Sequence, residues 1–306
     1  MPSKIEWCDE TINPVIGCSK ISAGCDHCFA EKMACRLSHM DVEGYDEVIN
    51  YAGKWNGRTA FIPSQLKKPM KWKKPRWIFV GSMTDMFHES VPFEWVHQVW
   101  DMMKACPQHT FLVLTKRPDR MAQLVNQIYR MERMGASMGF WKHVYLGVTA
   151  ENQEQADIRI PVLLSIPASV RFVSVEPMLG TVSLRRKAAD DREIVQATLM
   201  GQLDEYSRSV QRGLDWIICG GESGPGARPM HPDWVRGLRD QCAAAAADFH
   251  LEMALKKRQR AAETAEPGLT HCEDCGDEIP PRRREKMPNA RTCVPCQTIR
   301  EQRGEE

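Results

Sequence analysis

From Trp7 to about Phe249 the chain repeats one pattern. A short apolar run ends in small or polar residues, and a longer stretch with helical periodicity follows. The runs are TINPVIGC, RWIFVGSMTDMFH, TFLVLTKRPDRM, VYLGVTAENQ, VRFVSVEPMLG and DWIICGGESG. Several are β-branched and apolar almost throughout, as expected of strands covered on both faces in a parallel sheet. The stretches between them, CFAEKMACRLSH, FEWVHQVWDMMKAC, DRMAQLVNQIYRMERM, QADIRIPVLLSI and DWVRGLRDQCAAAA, read as helices. Pro92, Pro118 and Pro232 stand at or near three helix starts, where a missing N–H costs little. Six strand–helix units predict an α/β fold with a parallel sheet, either an open doubly wound sheet or a barrel. We expect a partial (β/α)6 barrel.

The pattern lapses twice. Residues Thr181 to Gly213 carry a mixed-charge run, RRKAADDRE, and no period, which reads as an excursion between the fifth and sixth strands. After the alanines at Ala243 to Ala247 comes LEMALKKRQRAAETA, a charged helical segment, which EPGLT breaks. We therefore place a barrel-like domain at 1–249, and a helix with a small cysteine module at 250–306.

Composition adds little until the cysteines are considered. A net charge of +1 exerts no global pull on nucleic acid or membranes. No run approaches the roughly 18 apolar residues of a membrane helix. Nothing at MPSKIEWCDE resembles an export signal. Of the 12 cysteines, seven lie in two clusters. In a chain read as cytoplasmic, clustered cysteines point to metal rather than disulfides.

The segment CEDCGDEIPPRRREKMPNARTCVPC places Cys272, Cys275, Cys293 and Cys296 as two Cys-x2-Cys pairs. Each pair can turn both sulfurs onto one ion, and two pairs complete a tetrahedral zinc shell with no open position. Such a zinc is structural, holding a segment too small for a core of its own. From about Leu251 to Gln297 the sequence resembles the zinc finger of the DksA/TraR transcription regulators. That resemblance implies RNA polymerase as a partner.

The first cluster, NPVIGCSKISAGCDHCFAEKMA, spaces Cys18, Cys25 and Cys28 as Cys-x6-Cys-x2-Cys. Three thiolates suit a [4Fe–4S] cluster with one open iron. A radical enzyme uses such an iron to hold S-adenosylmethionine and, with a reductant, to make a 5′-deoxyadenosyl radical. The familiar first gap is three residues rather than six, and here the aromatic, Phe29, follows the last cysteine. Zinc with His27 as a fourth ligand, or no metal at all, remain alternatives. The motifs KIEWCDETINPVIGCSKISAGCDHCFAE, FVGSMTDMFHESVP, VLTKRPDRM, LGVTAENQ, VSVEPMLG and GGESGPGARPM resemble a phage three-cysteine-motif family, the gene product thirty-seven/sixty-eight family, from Lys4 to about Cys242. That resemblance implies a radical-type barrel and leaves the substrate open.

Every predicted strand ends in polar residues, which parallel strands deliver to one mouth. Asp85 and Glu176 are candidate catalytic groups, with helix capping as the alternative. Gly220, Gly221 and Glu222 are candidates for binding the cofactor, the glycines giving close approach and the carboxylate meeting an ammonium. Lys116 and Arg117 are candidates for an anionic substrate, a nucleotide or nucleic acid among them. The stretch LKKPMKWKKPRW interleaves six basic residues with Trp72 and Trp77, a pattern that suits nucleic-acid backbone and bases, or a solvated loop. Two function classes follow: a radical S-adenosylmethionine enzyme with a structural zinc finger, or a binding protein with two structural metal sites.

Overall fold

In the computed structural model, the described residues are 5–133, 141–184, 213–224, 226–264 and 268–303, with four two-residue strands between 186 and 211. Most of the expected 181–213 excursion lies outside the described residues. Six strands form one parallel sheet: β1 (Glu10–Ile12), β2 (Trp77–Val80), β3 (Thr110–Thr115), β4 (Val144–Thr149), β5 (Val170–Val175) and β6 (Trp216–Cys219). They pair in chain order, β1 and β6 at the edges, with registers such as Val113↔Leu146 and Val173↔Ile217. All six are strands the apolar runs predict. The first is shorter than its run, because the chain turns at Asn13-Pro14 and Val15–Ile16 pairs antiparallel with Ala60–Phe61 instead.

Sequential parallel order winds the chain in one direction, so its helices gather on one face. Helices α2 (Phe93–Lys104), α3 (Pro118–Arg133), α4 (Gln153–Ser165) and the start of α5 (Pro232–Thr264) follow β2, β3, β4 and β6. Trp100, Met121, Leu163 and Leu238 from these helices share one core with Ile78, Val80, Phe111, Val113, Leu146 and Val173. The alternate strand residues Phe79, Leu112, Leu114, Tyr145, Phe172, Trp216 and Ile218 form a second cluster with Trp7 and Cys8. Both faces are covered, which is why the strands read as continuous apolar runs.

The second face is concave. Trp77 on β2 and Trp216 on β6 lie four strand spacings apart along the sheet, about 19 Å if it were flat. Their ring centroids are 5.6 Å apart. Only a strongly curled sheet closes that gap. Trp7 bridges the same cluster, 4.8 Å from Phe79 and 6.4 Å from Trp216. The strand starts are thus plugged by aromatic rings, and the strand ends surround a hollow.

Between β1 and β2 the chain builds a satellite layer around α1 (Phe29–Ser38), with Ile16, Ala34, Tyr45, Val48, Ile62 and Met83 at its centre. The chain divides into two compact units, Met1–Ala245 and Ala246–Glu306, and the division falls inside α5. The second unit holds α6 (Pro281–Lys286) and α7 (Val294–Arg303) around a four-residue core of Cys272, Ile279, Ala290 and Cys293. Among the described residues, no helix is long and apolar enough to cross a membrane.

Candidate functional site

The second unit carries the more compact of the two cysteine sites. The Sγ atoms of Cys272, Cys275, Cys293 and Cys296 all lie within 4.8 Å of one another. Cys275 and Cys293 are 3.6 Å apart, close to the roughly 3.8 Å edge of a tetrahedron with 2.3 Å zinc–sulfur bonds. The first knuckle closes through Gly276 N–H to the Cys272 carbonyl at 2.9 Å, with Gly276 at φ +76°, a conformation glycine adopts without strain. Burial alone would raise the Cys272 thiol, but N–H groups of Cys275, Cys293 and Asp274 bring it down to about 6. That eases proton release on metal binding. Arg300 pairs with Asp274 and Glu273, Arg291 with Glu273 at 2.8 Å, and Arg284 with Glu278 at 3.3 Å. These three arginines are therefore spent inside the module.

The sheet mouth is built from distant pieces. Cys18 follows the turn after β1, held to the end of β2 by Gly17 N–H to the Met83 carbonyl (3.1 Å) and Thr84 Oγ1 to the Gly17 carbonyl (2.7 Å). The Cys18–Cys28 loop is pinned in the middle, where Glu151 at the end of β4 accepts from Gly24 N–H at 3.1 Å. Glu151 is completely buried and also holds Arg159 at 2.9 Å. Burial works to raise its carboxyl, but side-chain hydrogen bonding, then the Arg159 and Lys116 charges, hold it below the usual range. Cys28 is the N-cap residue of α1. Cys18, Cys25 and Cys28 line one cavity of about 180 Å³ with Ser82, Thr115 and Lys116. That is several times the roughly 30 Å³ a water occupies. Unlike the C-terminal four, the three sulfurs are not among the groups gathered within a single ion's reach.

The candidate polar residues divide into neutralised and unspent groups. Asp85 accepts from Phe87 N–H, Thr115 Oγ1 (2.6 Å), Lys116 N–H and Arg117 Nη1. Arg117 in turn reaches Glu89, the Ser19 carbonyl and hydroxyl, and Cys18 Sγ at 3.9 Å. Every N–H of its guanidinium is therefore committed, and Arg117 ties β3 to the cysteine loop. Burial, then the Asp85 carboxylate, pushes the Cys18 thiol up to about 12. Glu222 sits against the same loop, 3.0 Å from His27 Nδ1 and 2.6 Å from Arg228 Nη2. Arg228 also donates to the Ala23 carbonyl at 2.9 Å. The Arg228 hydrogen bonds hold Glu222 down at about 2.

Glu176 differs from these. Among the described residues it accepts one hydrogen bond, from Ser174 Oγ at 3.2 Å. A Cβ on Gly220 would meet its Oε1 at 2.3 Å, so glycine there leaves the carboxylate its place. Gly221 follows in the same turn without such a contact. Lys116 makes no ion pair among the described residues, although it lines the cavity.

Pairing across such distances left no mark in the sequence. Ser19, His27, Glu89, Glu151 and Arg228 all hold the mouth together, yet none has a spacing that announces its partner. Buried His88, 2.8 Å from Ser19 Oγ, belongs with them, whereas His231 is exposed.

Comparison with known families settles the lineage of both units. The chain belongs to the DUF5131 family. The family is described as a protein of unknown function, and its model matches residues 2–280. Residues 267–302 match the prokaryotic dksA/traR C4-type zinc finger. The two matches overlap at 267–280, so the DUF5131 match runs on through Cys272 and Cys275. No curated protein and no solved structure matches the chain. With its four cysteines converged, the C-terminal module is a DksA/TraR-type zinc finger.

Proposed function

We propose that this DUF5131 protein is a radical S-adenosylmethionine-type enzyme on a partial (β/α)6 barrel, with a structural zinc finger. The observation that carries the reading is the triad: three thiols from one loop open into one cavity at the C-terminal ends of a curled, singly wound parallel sheet. That is where α/β folds hold their chemistry. The donor set fits an iron–sulfur cluster, because thiolates on separate irons need not converge on one point as zinc ligands must. When bound, such a cluster would supply one electron to cleave S-adenosylmethionine.

The chain's own residues then divide the work. Cys18, Cys25 and Cys28 would hold the cluster. Arg117 is a positioning residue, fixing Cys18 through its sulfur and through Ser19. Asp85 lines the same cavity and keeps that guanidinium oriented, its oxygens taken up by Phe87 N–H, Thr115 Oγ1, Lys116 N–H and Arg117. Glu222 is neutralised by Arg228 and positions the loop beside His27. Glu176, beside Gly220 and Gly221, is not among the residues that line the cavity; its carboxylate, with one hydrogen bond among the described residues, is the group we assign to a cofactor ammonium. Lys116 lines the cavity with no ion pair among the described residues, and it favours a substrate with a phosphate or carboxylate.

Anaerobically reconstituted full-length protein should bind S-adenosylmethionine and, given a reductant, release methionine and 5′-deoxyadenosine. Cys25→Ala should do neither while its sheet unit stays folded. Zinc at the triad without S-adenosylmethionine binding would replace this reading with that of a regulatory protein holding two structural metals. RNA polymerase would then be the partner class, as the finger's resemblance implies.

A further inference from the structure

The basic stretch before β2 stands at the start of the strand, whereas the cysteines stand at the strand ends. Its charges therefore lie on the opposite side of the sheet from the proposed chemistry. Its inward contacts recur at every third residue. Leu66 and Trp72 pack against the main core, and buried Pro69 offers its carbonyl to His109 Nε2 at 3.0 Å. Trp72 also meets the His109 ring edge-on at 6.1 Å and carries the Arg76 guanidinium 5.1 Å above its own ring. Trp72 is thus a packing residue, and Arg76 is neutralised by Glu10 at 2.6 Å.

What the anchors leave outward is cationic. Lys67, Lys68, Lys71, Lys73 and Lys74 are all exposed, and among the described residues none has an ion pair. No acidic residue occurs between Leu66 and Trp77. Met70 (57% exposed) and Trp77 (42% exposed) flank the lysines with apolar surface. Trp77 meets Tyr145 and Trp216 in T-shaped contacts at 5.7 and 5.6 Å, so its ring is fixed in place.

We propose that this surface, Lys67 to Trp77, docks single-stranded nucleic acid. The five lysines would follow the phosphates and the Trp77 ring would take a base. Unpaired charge on a rigid segment suits a polyanion, since no internal salt bridge must be broken first. An exposed, anchored aromatic beside it offers a base a surface to stack on. The helix here, Lys67–Lys71, is only five residues long, too short to lay an apolar face into a membrane. The inference is independent of the cluster, because the surface contains no cysteine.

The test is fluorescence anisotropy of full-length, zinc-loaded protein with a labelled 20-nucleotide single strand, titrated at several salt concentrations. The quadruple variant Lys68→Gln, Lys71→Gln, Lys73→Gln, Lys74→Gln should bind at least about tenfold more weakly near 0.1 M salt. Its log–log salt slope should be shallower by about 0.7 for each lysine removed. Arg282→Gln with Lys286→Gln, in the finger, should bind as the parent does. Unchanged zinc content and circular dichroism would show that the variants are folded. Equal binding by the quadruple variant, loss on the finger variant alone, or binding of phosphatidylserine vesicles without nucleic acid would each overturn the proposal. Loss of S-adenosylmethionine chemistry with nucleic-acid binding intact would sink the enzyme reading and leave this one standing.

Discussion

The two cysteine sites are made in opposite ways. In the C-terminal module four thiols meet within 4.8 Å, and nearly everything that brings them together lies in one 25-residue stretch. The module has a core of four residues, two of which are themselves ligands. At the sheet mouth three thiols share one short loop, but their setting comes from β2, β3, β4 and the turn after β6. Glu151 is 127 residues from the glycine it binds, and Arg228 is 205 residues from Ala23. One site is a metal that makes a fold; the other is a fold that prepares a site.

The comparison breaks most visibly at the finger. Cys293→Ser, or a zinc chelator, should unfold residues 268–303 and leave the cooperative melting of the sheet unit unchanged. Structural zinc contributes apparent binding free energies of about 10–16 kcal/mol to modules of this kind, which have little else. Hydrogen exchange localised to the module checks it. Protection that survives chelation would contradict the account.

At the mouth the sensitive residue is not a cysteine. Arg117→Ala leaves Asp85 buried and unpaired, and removing one partner of a buried pair costs about 3–5 kcal/mol. Denaturant melts should show that loss in the sheet unit. Asp85→Asn should also be destabilising, because Arg117 then loses a charge partner. Cys25→Ala should be far milder, within about 1 kcal/mol of the parent, since Glu151 and Arg228 still hold the loop. If Cys25→Ala unfolded the sheet unit as Cys293→Ser unfolds the finger, the two sites would be alike after all.

The fold was legible because parallel strands buried on both faces write themselves as apolar runs. All six strands, and helix starts at or beside Pro92, Pro118 and Pro232, follow from that. In the satellite layer the helix α1 could be read from CFAEKMACRLSH, but the short elements around Tyr45 and Val48 could not, because they carry no period. Paired cysteines at x2 spacing encode their own geometry, so the zinc site could be read directly. Asp85, Arg117 and Glu222 could be recognised as residues of the mouth from their place after a strand. Their roles could not, because a carboxylate neutralised by Arg228 and one left open at Glu176 look the same in sequence.

The smallest expected effect is on the loop latch. Glu222 is held at about 2, below the ordinary carboxylate value of 4.5, so its contribution is full above pH 4.5. That contribution fades as pH falls towards 2, when protonation releases Arg228 and His27. The protection of the Ala23 to His27 amides, measured relative to their intrinsic exchange rates, should therefore fall over that window in the parent. In Glu222→Gln that protection should be low throughout, with iron content unchanged.

The central claim, that one chain holds a closed zinc site and an open cluster site, is tested most directly by metal analysis of anaerobically purified protein. Iron, sulfide and zinc should be found at about four, four and one per chain. Cys25→Ala should lose the iron and sulfide and keep the zinc, while Cys275→Ala should lose the zinc and keep the iron. Two zinc per chain and no iron, with Cys25→Ala losing one of them, would contradict the account.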